Sequence, residues 1–411
     1  MTYDIAAVRA DFPILERVIN GYPLAYLDSA NTSQKAAPVV AAMADFALGH
    51  NANVARAMHT LGVEATEAYE GARARVARFI GAESREIVFT KNASEALNLA
   101  AHTLSAGLGP GDEVVISVME HHSNIVPWQM ACERTGARLR WFDITEDGHL
   151  DMAKATAERL INERTAVVSV MWVSNMLGTV NPVAKIAAMA HAVGATMVVD
   201  GAQGVPQRPT DVATLGADML MFTGHKLCGP TGVGVLWGRH WLLESLPPFL
   251  GGGEMIEIVR LQGSTYAAPP ARFEAGTPPI IQAVGLGAAL DYLDGIGMAA
   301  IADYEQALTR YALEQLSSIE GLRLLGPIGD DERGGAVAST VEGVHPHDMM
   351  QLLDSRGIAV RGGHHCARPL HERLGLQSST RASFGPYSSG EEVDRLVDAV
   401  IWARDFFNKG A

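Results

Sequence analysis

The stretch FTGHKLCGPTGVG at residues 222–234 decides the fold, together with DGAQ at residues 200–203. Each stretch begins where a near-continuous apolar run of strand length ends, and such runs are typical of strands buried on both faces of a sheet. Asp200 ends the first strand, and Lys226 lies in a Gly/Pro-rich loop after the second. Ligands of open α/β sheets bind beyond the carboxyl ends of strands. The pattern therefore predicts that both charged side chains face a binding site.

The chain around these stretches, from about residue 75 to 240, alternates apolar runs with helical patterns. This alternation predicts a mainly parallel α/β sheet. The predicted strands are Ile87–Thr90, Glu113–Ser117, Arg138–Phe142, Ala166–Met171, Thr196–Asp200 and Met219–Phe222. Helices are predicted between them, among them Ser94–Ala106 and Pro182–Val193. Val233–Trp237 follows the last strand after a short loop, and we expect it to pair antiparallel.

The rest of the chain predicts a second, smaller α+β domain. Residues 247–279 are rich in Gly and Pro and are predicted to form ordered loops, and Ile280–Ser318 reads as a long helical stretch. The predicted elements that follow are strand Ala336–Val341, helix Pro346–Arg356, strand Ile358–Arg361 and helix Gly390–Phe407. We therefore predict a large domain at 21–290 and a small domain at 291–411. Residues 1–20 are expected to pack with the small domain.

Composition excludes several classes of function. Lys and Arg number 32 against 46 Asp and Glu, a net charge of −14. Without a basic cluster, such a chain is poorly suited to nucleic acid or anionic membranes. The three cysteines lack CxxC spacing, which argues against a disulfide framework or a zinc site. No signal-like segment and no run of ~20 apolar residues is found. We expect a soluble, cytoplasmic protein.

Lys226 and Asp200 are the residue types that pyridoxal-phosphate (PLP) chemistry needs. Reactions at the α-carbon of an amino acid require an electron sink. PLP provides one when a lysine forms the Schiff base and an aspartate keeps the pyridine nitrogen protonated. Either residue alone would ordinarily be a surface residue at the end of a loop. Their joint placement within these strings predicts a PLP site.

The phosphate of PLP needs hydroxyls and free main-chain N–H groups. The string KNASEALNLAA (91–101) begins a predicted helix with Ser94 in its first turn, and a helix N-terminus favours an anion. Thr223 and His225 are further candidate donors. The glycines of GPTGVG are weak evidence, because glycines often serve only turns.

A histidine pair follows another predicted strand end, in EHHSNIVPW at residues 120–128. A histidine in that place can stack on a cofactor ring and shuttle protons. A helix cap or a metal-binding pair is the alternative interpretation of the same residues.

Cys366 lies in RGGHHCARPL at residues 361–370. It could be a buried structural cysteine or a metal ligand, but the spacing supplies no third or fourth ligand. The polar, glycine-rich context favours an accessible thiol, and a thiolate nucleophile needs nearby positive charge or a base. The local candidates for that role are Arg361, His364, His365 and Arg368.

Two further polar residues are candidates for binding a substrate carboxylate. Arg381 lies in TRASFGPY (380–387), and a bidentate arginine commonly holds a carboxylate. An ion pair with a structural acidic residue is an equally good explanation. Asn175, in VSNMLGT (173–179), lies just beyond a predicted strand and alone would be an ordinary loop residue.

With these residues assembled, the chain resembles the group II, Suf-type cysteine desulfurases of the class V aminotransferase family, which have PLP fold-type I. The resemblance runs from ADFPIL (10–15) to EEVDRLV (391–397). The strings that carry it are YLDSA (26–30), MEHHSNIVPWQ (119–129), VSNMLGTVNPV (173–183), DGAQGV (200–205), GHKLCGPTGVGVL (224–236), GGGEMI (251–256), RFEAGTP (272–278) and VRGGHHCA (360–367).

The resemblance implies a role for each matching residue. Lys226 resembles the Schiff-base lysine, Asp200 the pyridinium partner and Cys366 the nucleophile that forms the persulfide. The other implied cofactor contacts are Gln203 to the phenolic oxygen, His121 stacking on the ring as acid/base, Ser94, Thr223 and His225 to the phosphate, and Thr277 from a second subunit. Arg381 and Asn175 match the ligands of the substrate carboxylate, and Arg361 belongs to the cysteine-bearing motif.

The implied activity converts L-cysteine to L-alanine and leaves a persulfide on Cys366. A homodimer and transfer to a SufE- or SufU-like acceptor for iron–sulfur cluster assembly are also implied. A selenocysteine lyase, an aminotransferase or kynureninase-like enzyme that would not need Cys366, and a PLP-bound scaffold are the alternatives. The sequence departs from the family pattern at Ala55, usually a histidine, and at Asn31, usually a small residue. It also departs at FGPYSS (384–389), where the family string usually ends in Tyr-Asn-Thr. Of the three, we expect Ala55 to alter the entrance to the site.

Overall fold

The computed structural model describes residues 3–55, 58–329 and 333–408. The strands are β1 Val18–Ile19, β2 Tyr22–Pro23, β3 Ala25–Tyr26, β4 Ile87–Thr90, β5 Glu113–Ser117, β6 Arg138–Phe142, β7 Thr165–Met171, β8 Thr196–Asp200, β9 Met219–Thr223, β10 Gly234–Gly238, β11 Ile256–Arg260, β12 Gly263–Tyr266, β13 Leu322–Leu325, β14 Ala336–Val341, β15 Ile358–Ala359, β16 Arg361–Gly363 and β17 Ser379–Ser383.

The α-helices are α1 Ile5–Ala10, α2 Ala37–Asp45, α3 Thr60–Phe79, α4 Ala93–Leu104, α5 Val126–Thr135, α6 Met152–Ala157, α7 Val183–His191, α8 Gly204–Gln207, α9 Val212–Leu215, α10 His240–Ser245, α11 Ile280–Ile296, α12 Met298–Ser317, α13 Pro346–Asp354, α14 Arg368–Arg373 and α15 Gly390–Asn408. Short 3-10 and π turns join several of them, including the 3-10 turn His122–Asn124.

The large sheet has seven strands in the order β4-β10-β9-β8-β7-β5-β6. Strand β10 runs antiparallel to the other six, so the predicted mainly parallel sheet with one antiparallel strand is confirmed. Every residue of β5, β9 and β10 is buried. Apolar side chains on both faces therefore form the two large core clusters between the sheet and its covering helices.

Register brings the ends of three strands to the same level. Met171 pairs with Asp200, and Asp200 pairs with Met221, two residues before the end of β9. Because parallel strands point the same way, the loops that follow β4, β5, β7, β8 and β9 leave one edge of the sheet. The site is built at this edge.

The small sheet is antiparallel, in the order β13-β14-β17-β16, and packs against α12 and α13. Helix α15 packs against these two helices and completes the same core. The N-terminal segment joins it, since Arg9 pairs with Glu392 and the Tyr3 hydroxyl donates to the Pro386 carbonyl. Residues 25–26 pair with β15. The predicted domain boundaries at 20/21 and 290/291 remain predictions.

Three local features differ from the sequence-based expectation. The predicted helical stretch from Ile280 breaks at Gly297, whose φ of +96° favours glycine, and the two helices meet at 75°. The predicted strand Ile358–Arg361 divides between two sheets. The expected loop region contains an exposed hairpin of β11 and β12.

In the described residues no single helix is long and apolar enough to cross a membrane. The bent pair α11 and α12 passes that test jointly, on length and composition.

Candidate active site

A cavity of about 200 Å³ lies at the carboxyl edge of the large sheet, where the small domain covers it. The predicted site residues that line it are Ser94, His121, Asn175, Asp200, Gln203, Thr223, His225, Lys226, Arg361, Cys366 and Arg381. Thr277 does not line it. This residue is exposed and borders a separate depression with Lys91 and Glu95, beside the start of α4.

Lys226 and Asp200 form the floor of the cavity. Burial and the positive charge of Arg381 lower the pKa of the Lys226 ammonium to about 8, although the nearby Asp200 opposes this shift. Burial raises the pKa of Asp200, against the main-chain N–H of Ala202 and the charge of Lys226. Across the described ranges Lys226 Nζ makes no hydrogen bond. The floor therefore holds an uncommitted amine beside a buried carboxyl group.

The N-terminus of α4 forms one wall. Its first N–H groups, those of Ala93 and Ser94, have no partner within the helix, and the macrodipole makes this end positive. Strand β10 approaches closely, because a Cβ on Gly234 would lie 2.4 Å from the carbonyl carbon of Asn92. The hydroxyl of Ser94, 2.6 Å from that of Ser123, completes a wall suited to an anion.

His121 follows β5 and is partly buried. Burial and the charge of Lys226 lower the pKa of its ring to about 3, so the imidazole is neutral at pH 7. Its Nδ1 accepts a hydrogen bond from the main-chain N–H of Ser123 at 3.1 Å. The proton therefore sits on Nε2, which fixes the tautomer.

Gln203 connects the cavity to the small domain. Its Nε2 donates to the Ala30 carbonyl at 2.6 Å, which fixes the orientation of the amide because a carbonyl oxygen only accepts. Its Oε1 accepts from Gln207 Nε2 at 3.2 Å, and Gln207 Oε1 accepts from the Gly335 N–H at 3.0 Å.

Two arginines of the small sheet line another part of the cavity. Arg381 is 2% exposed, donates from Nη1 to the Asn175 carbonyl at 2.7 Å and pairs through Nη2 with Asp28 at 3.1 Å. Its Nε has no partner within the described ranges. Arg361 stands directly opposite Arg381 across β16 and β17. Adjacent like charges are unfavourable, so this wall is suited to a carboxylate.

The loop carrying Cys366 has an unusual backbone. His365 and Cys366 both have left-handed φ angles, +51° and +54°, which residues other than glycine rarely adopt. Asn175 Nδ2 donates to the His365 carbonyl at 2.7 Å. Cys366 is partly exposed, whereas Cys132 and Cys228 are buried, so it is the accessible thiol of the three.

A chain of side chains fixes the ring of His365. His371 Nδ1 donates to the Ala367 carbonyl, which leaves His371 Nε2 to accept the Ser379 hydroxyl at 3.0 Å. His365 Nε2 therefore donates to the Ser379 carbonyl and hydroxyl oxygens at 3.1 Å. Burial and Arg381 hold the pKa of His365 far below its ordinary value, so its ring is neutral.

Two residues of the site carried no chemical signal in the sequence. Asp28 pairs with Arg381 from a segment 353 positions away, a contact that only the fold creates. Asn31 lines the cavity and donates to Asp28. Ala55 is not among the described residues that line the cavity; it is exposed, and its N–H donates to the Thr66 hydroxyl. Its expected effect on the entrance stays a prediction. Residues 56–57 of the same string lie outside the described residues.

Comparison with known proteins places the chain in a family. The model of the Aminotransferase class-V family matches residues 25–396. The chain belongs to this family. Its members are PLP-dependent, and the implied cofactor class is thereby confirmed.

Relatives agree over almost the whole length. A probable cysteine desulfurase of Streptomyces coelicolor is 54% identical over 98% of each chain, and a cysteine desulfurase of Haloferax volcanii is 49% identical over 98% of each. Cysteine desulfurase CsdA of Escherichia coli, solved in an S-sulfonic acid form, matches with a TM-score of 0.89 and 37% identity over 99% of this chain and all of that one. The apo cysteine desulfurase of Thermococcus onnurineus matches at 0.92, with 40% identity over 99% and 98%. These matches confirm fold-type I.

The residues present fit pyridoxal phosphate. An anionic group suits the N-terminus of α4, with the hydroxyls of Ser94 and Thr223 beside it. Asp200 suits a protonated pyridine nitrogen, and Lys226 offers an amine without a hydrogen-bond partner in the described ranges. No group of three or more His, Cys, Asp or Glu side chains in the described part of the chain is placed to hold a metal ion.

Proposed function

We propose that this chain is a PLP-dependent cysteine desulfurase that converts L-cysteine to L-alanine and retains the sulfur as a persulfide on Cys366. One observation carries the proposal: a partly exposed cysteine and a partly exposed lysine without a hydrogen-bond partner in the described ranges line the same cavity. Relatives of about 50% identity named cysteine desulfurase support it.

The cavity walls orient the substrate. Arg381 and Arg361 bind the carboxylate of L-cysteine, and Asp28 holds Arg381 in place. Bound PLP supplies an electron sink at the substrate α-carbon, with its phosphate on Ser94, Thr223, His225 and α4. Lys226 holds the cofactor and then moves the proton at the α-carbon, a task suited to an amine whose pKa is about 8. His121, neutral with its proton on Nε2, lines the same cavity.

Cys366 performs the sulfur transfer. Its thiolate attacks the sulfur of L-cysteine, so that an S–S bond forms as the substrate C–S bond breaks. The electron pair of the broken bond remains on carbon, which takes a proton to give alanine. L-cysteine and the Cys366 thiol thus become L-alanine and the Cys366 persulfide, with no external oxidant. Lys226 and Arg381 provide positive charge near the thiolate.

The rival functions are weaker. An aminotransferase would leave the accessible thiol of Cys366 without a task. Selenocysteine lysis on the same scaffold is not favoured, because the relatives are named for cysteine. A PLP-bound scaffold would not require Lys226, Arg381 and Cys366 to meet in one cavity.

A sulfur acceptor follows from the constraint on the cysteine. The loop around Cys366 is tied on both sides by hydrogen bonds, so the persulfide has little reach. The proposed partner is a small SufE- or SufU-like protein that enters the cavity. It would deliver the sulfur to iron–sulfur cluster assembly in the cytoplasm. Homodimer formation is proposed because Thr277 is exposed and lies outside the chain's own cavity.

The test is alanine formation from L-cysteine, with and without the acceptor and without strong reductant. A burst of about one alanine per active site, followed by slow turnover that acceptor relieves, is expected for a stalled covalent intermediate. Absence of alanine would overturn the activity, and fast turnover without acceptor or thiol would overturn the need for a partner.

A further inference from the structure

The second histidine of the pair, His122, has contacts that the proposed chemistry does not use. It begins the 3-10 turn after β5, in the large domain. Its main-chain N–H donates to the carbonyl of Cys366 at 2.8 Å. As the first residue of the turn, it has no partner for this N–H within the turn itself. The bond therefore joins the large domain directly to the cysteine.

The ring of His122 makes a second bond to the same loop. Its Nε2 accepts the main-chain N–H of Arg368 at 3.2 Å. Arg368 is the first residue of α14, a helix whose N-cap, Ala367, has no side-chain acceptor to offer. The ring supplies this acceptor from another domain. Burial and the nearby His364 lower the pKa of His122, which agrees with a neutral ring whose Nε2 lone pair is free.

These two bonds hold the C-terminal end of the strained backbone. His365 and Cys366 adopt left-handed φ angles, and such residues persist only where surrounding contacts hold them. Asn175 holds the carbonyl before the cysteine, whereas His122 holds the cysteine carbonyl and the start of the next helix. On the C-terminal side of the cysteine, the His122 contacts are the hydrogen bonds to the large domain that lie nearest to it. Arg373, at the end of α14, is bonded to Asp143 and to the Ile144 carbonyl, seven residues beyond Cys366.

We propose that His122 is a positioning residue for sulfur transfer: it holds Cys366 over the cavity through one main-chain and one ring hydrogen bond. It does not touch the reacting atoms, which distinguishes it from His121. This inference rests on the proposed function, because positioning matters only if the thiol of Cys366 accepts sulfur.

Three substitutions separate the two bonds. His122→Gln keeps the N–H and offers an amide oxygen to Arg368. His122→Ala keeps only the N–H. His122→Pro removes both contacts yet suits the local backbone, because proline is accepted at the first position of a helical turn and His121 already has ψ of 146°. His102→Ala, on the exposed end of α4, is the matched control.

The measurements are the burst rate of Cys366 persulfide in rapid quench and the rate of Cys366 alkylation by iodoacetamide without substrate. One lost hydrogen bond should slow the burst about two- to tenfold in His122→Ala, and two lost bonds about five- to a hundredfold in His122→Pro. Alkylation should accelerate in the same order as the loop loosens. His122→Gln and His102→Ala should match wild type in both measurements.

Absorption spectra report cofactor loading and L-cysteine binding. Neither His122 hydrogen bond contributes to these steps, so the spectra of the variants should match that of wild type. Equal burst and alkylation rates in wild type, His122→Ala and His122→Pro would overturn the role of His122 while leaving the proposed function intact. A wild-type enzyme that forms no persulfide would instead overturn the proposed function, and the alkylation series would still report whether His122 holds the loop. Loss of cofactor binding in His122→Ala would identify a general structural role and refute the assignment.

Discussion

The floor of the cavity and the loop that carries Cys366 are built in different ways. Asp200 and Lys226 follow strands whose register is set by a sheet with apolar residues on both faces. Cys366 lies on a left-handed backbone that side chains from 190 and more positions away hold in place. The sheet therefore positions Asp200 and Lys226, the residues that serve the electron sink, without depending on any single polar contact. Placement of the thiol depends on individual hydrogen bonds.

Deletion of the floor amine should have the largest effect. Lys226→Ala should lower alanine formation by at least about 10³-fold, because the base at the α-carbon is lost. Borohydride reduction should then attach no PLP covalently, although PLP can still bind by its phosphate. Lys185→Ala, an exposed lysine on α7, should behave as wild type. A reduced cofactor found on another lysine would refute the assignment of the floor.

Asp200→Asn tests the other half of the floor. Loss of the carboxylate removes the reason for the pyridine nitrogen to stay protonated, so turnover should fall about 10²- to 10³-fold with PLP still bound. Steady-state kinetics on fully loaded enzyme measures this effect. Near-normal turnover in Asp200→Asn would show that Asp200 is not needed for PLP to act as an electron sink.

Ser379→Ala should perturb the loop and spare the floor. The change removes the hydroxyl shared by His365 and His371, so the free energy of unfolding should fall by about 1–3 kcal/mol for two hydrogen bonds. Persulfide formation should slow about tenfold at unchanged PLP affinity. Ser339→Ala, half-buried on the neighbouring strand β14, is the control. If Ser379→Ala weakened PLP binding without slowing persulfide formation, Ser379 would act on the floor and not on the Cys366 loop, which would contradict the distinction between these two regions.

A smaller effect concerns pH. Burial lowers the pKa of Lys226 to about 8, and only the neutral amine is nucleophilic. Covalent attachment of PLP to the apoprotein should therefore accelerate about fivefold between pH 7 and pH 8 and level off above pH 9. The absorbance change on reconstitution follows this reaction. A rate that continues to rise through pH 10 would mean that the amine keeps the pKa of an exposed lysine.

The same contrast explains what the sequence could predict. Strand-length runs bounded by turns identified β4, β5, β6 and β8 with the bounds observed, and polar residues after β4, β5 and β8 line the cavity. Period alone could not find the break at Gly297, because the helical pattern continues on both sides of it. The hairpin of β11 and β12 was not predicted, because its strands are exposed and its sequence is rich in turn residues.

The loop was harder to predict than the floor. The sequence identified Cys366 and His365 but not their left-handed backbone, since neither residue favours it intrinsically. The pairing of Arg381 with Asp28 and the bonds of His122 to the loop join segments that only the tertiary structure brings together. Contacts of this kind leave no periodic signal in one sequence.

The most direct test of the account locates the sulfur. Enzyme loaded with PLP is given one equivalent of L-cysteine without acceptor or reductant, then alkylated, digested and analysed by mass spectrometry. One additional sulfur atom on the peptide containing Cys366, none on those containing Cys132 or Cys228, and an equal amount of alanine are predicted. Alanine formed at the wild-type rate while Cys366 stays unmodified, or by Cys366→Ser, would contradict the central claim.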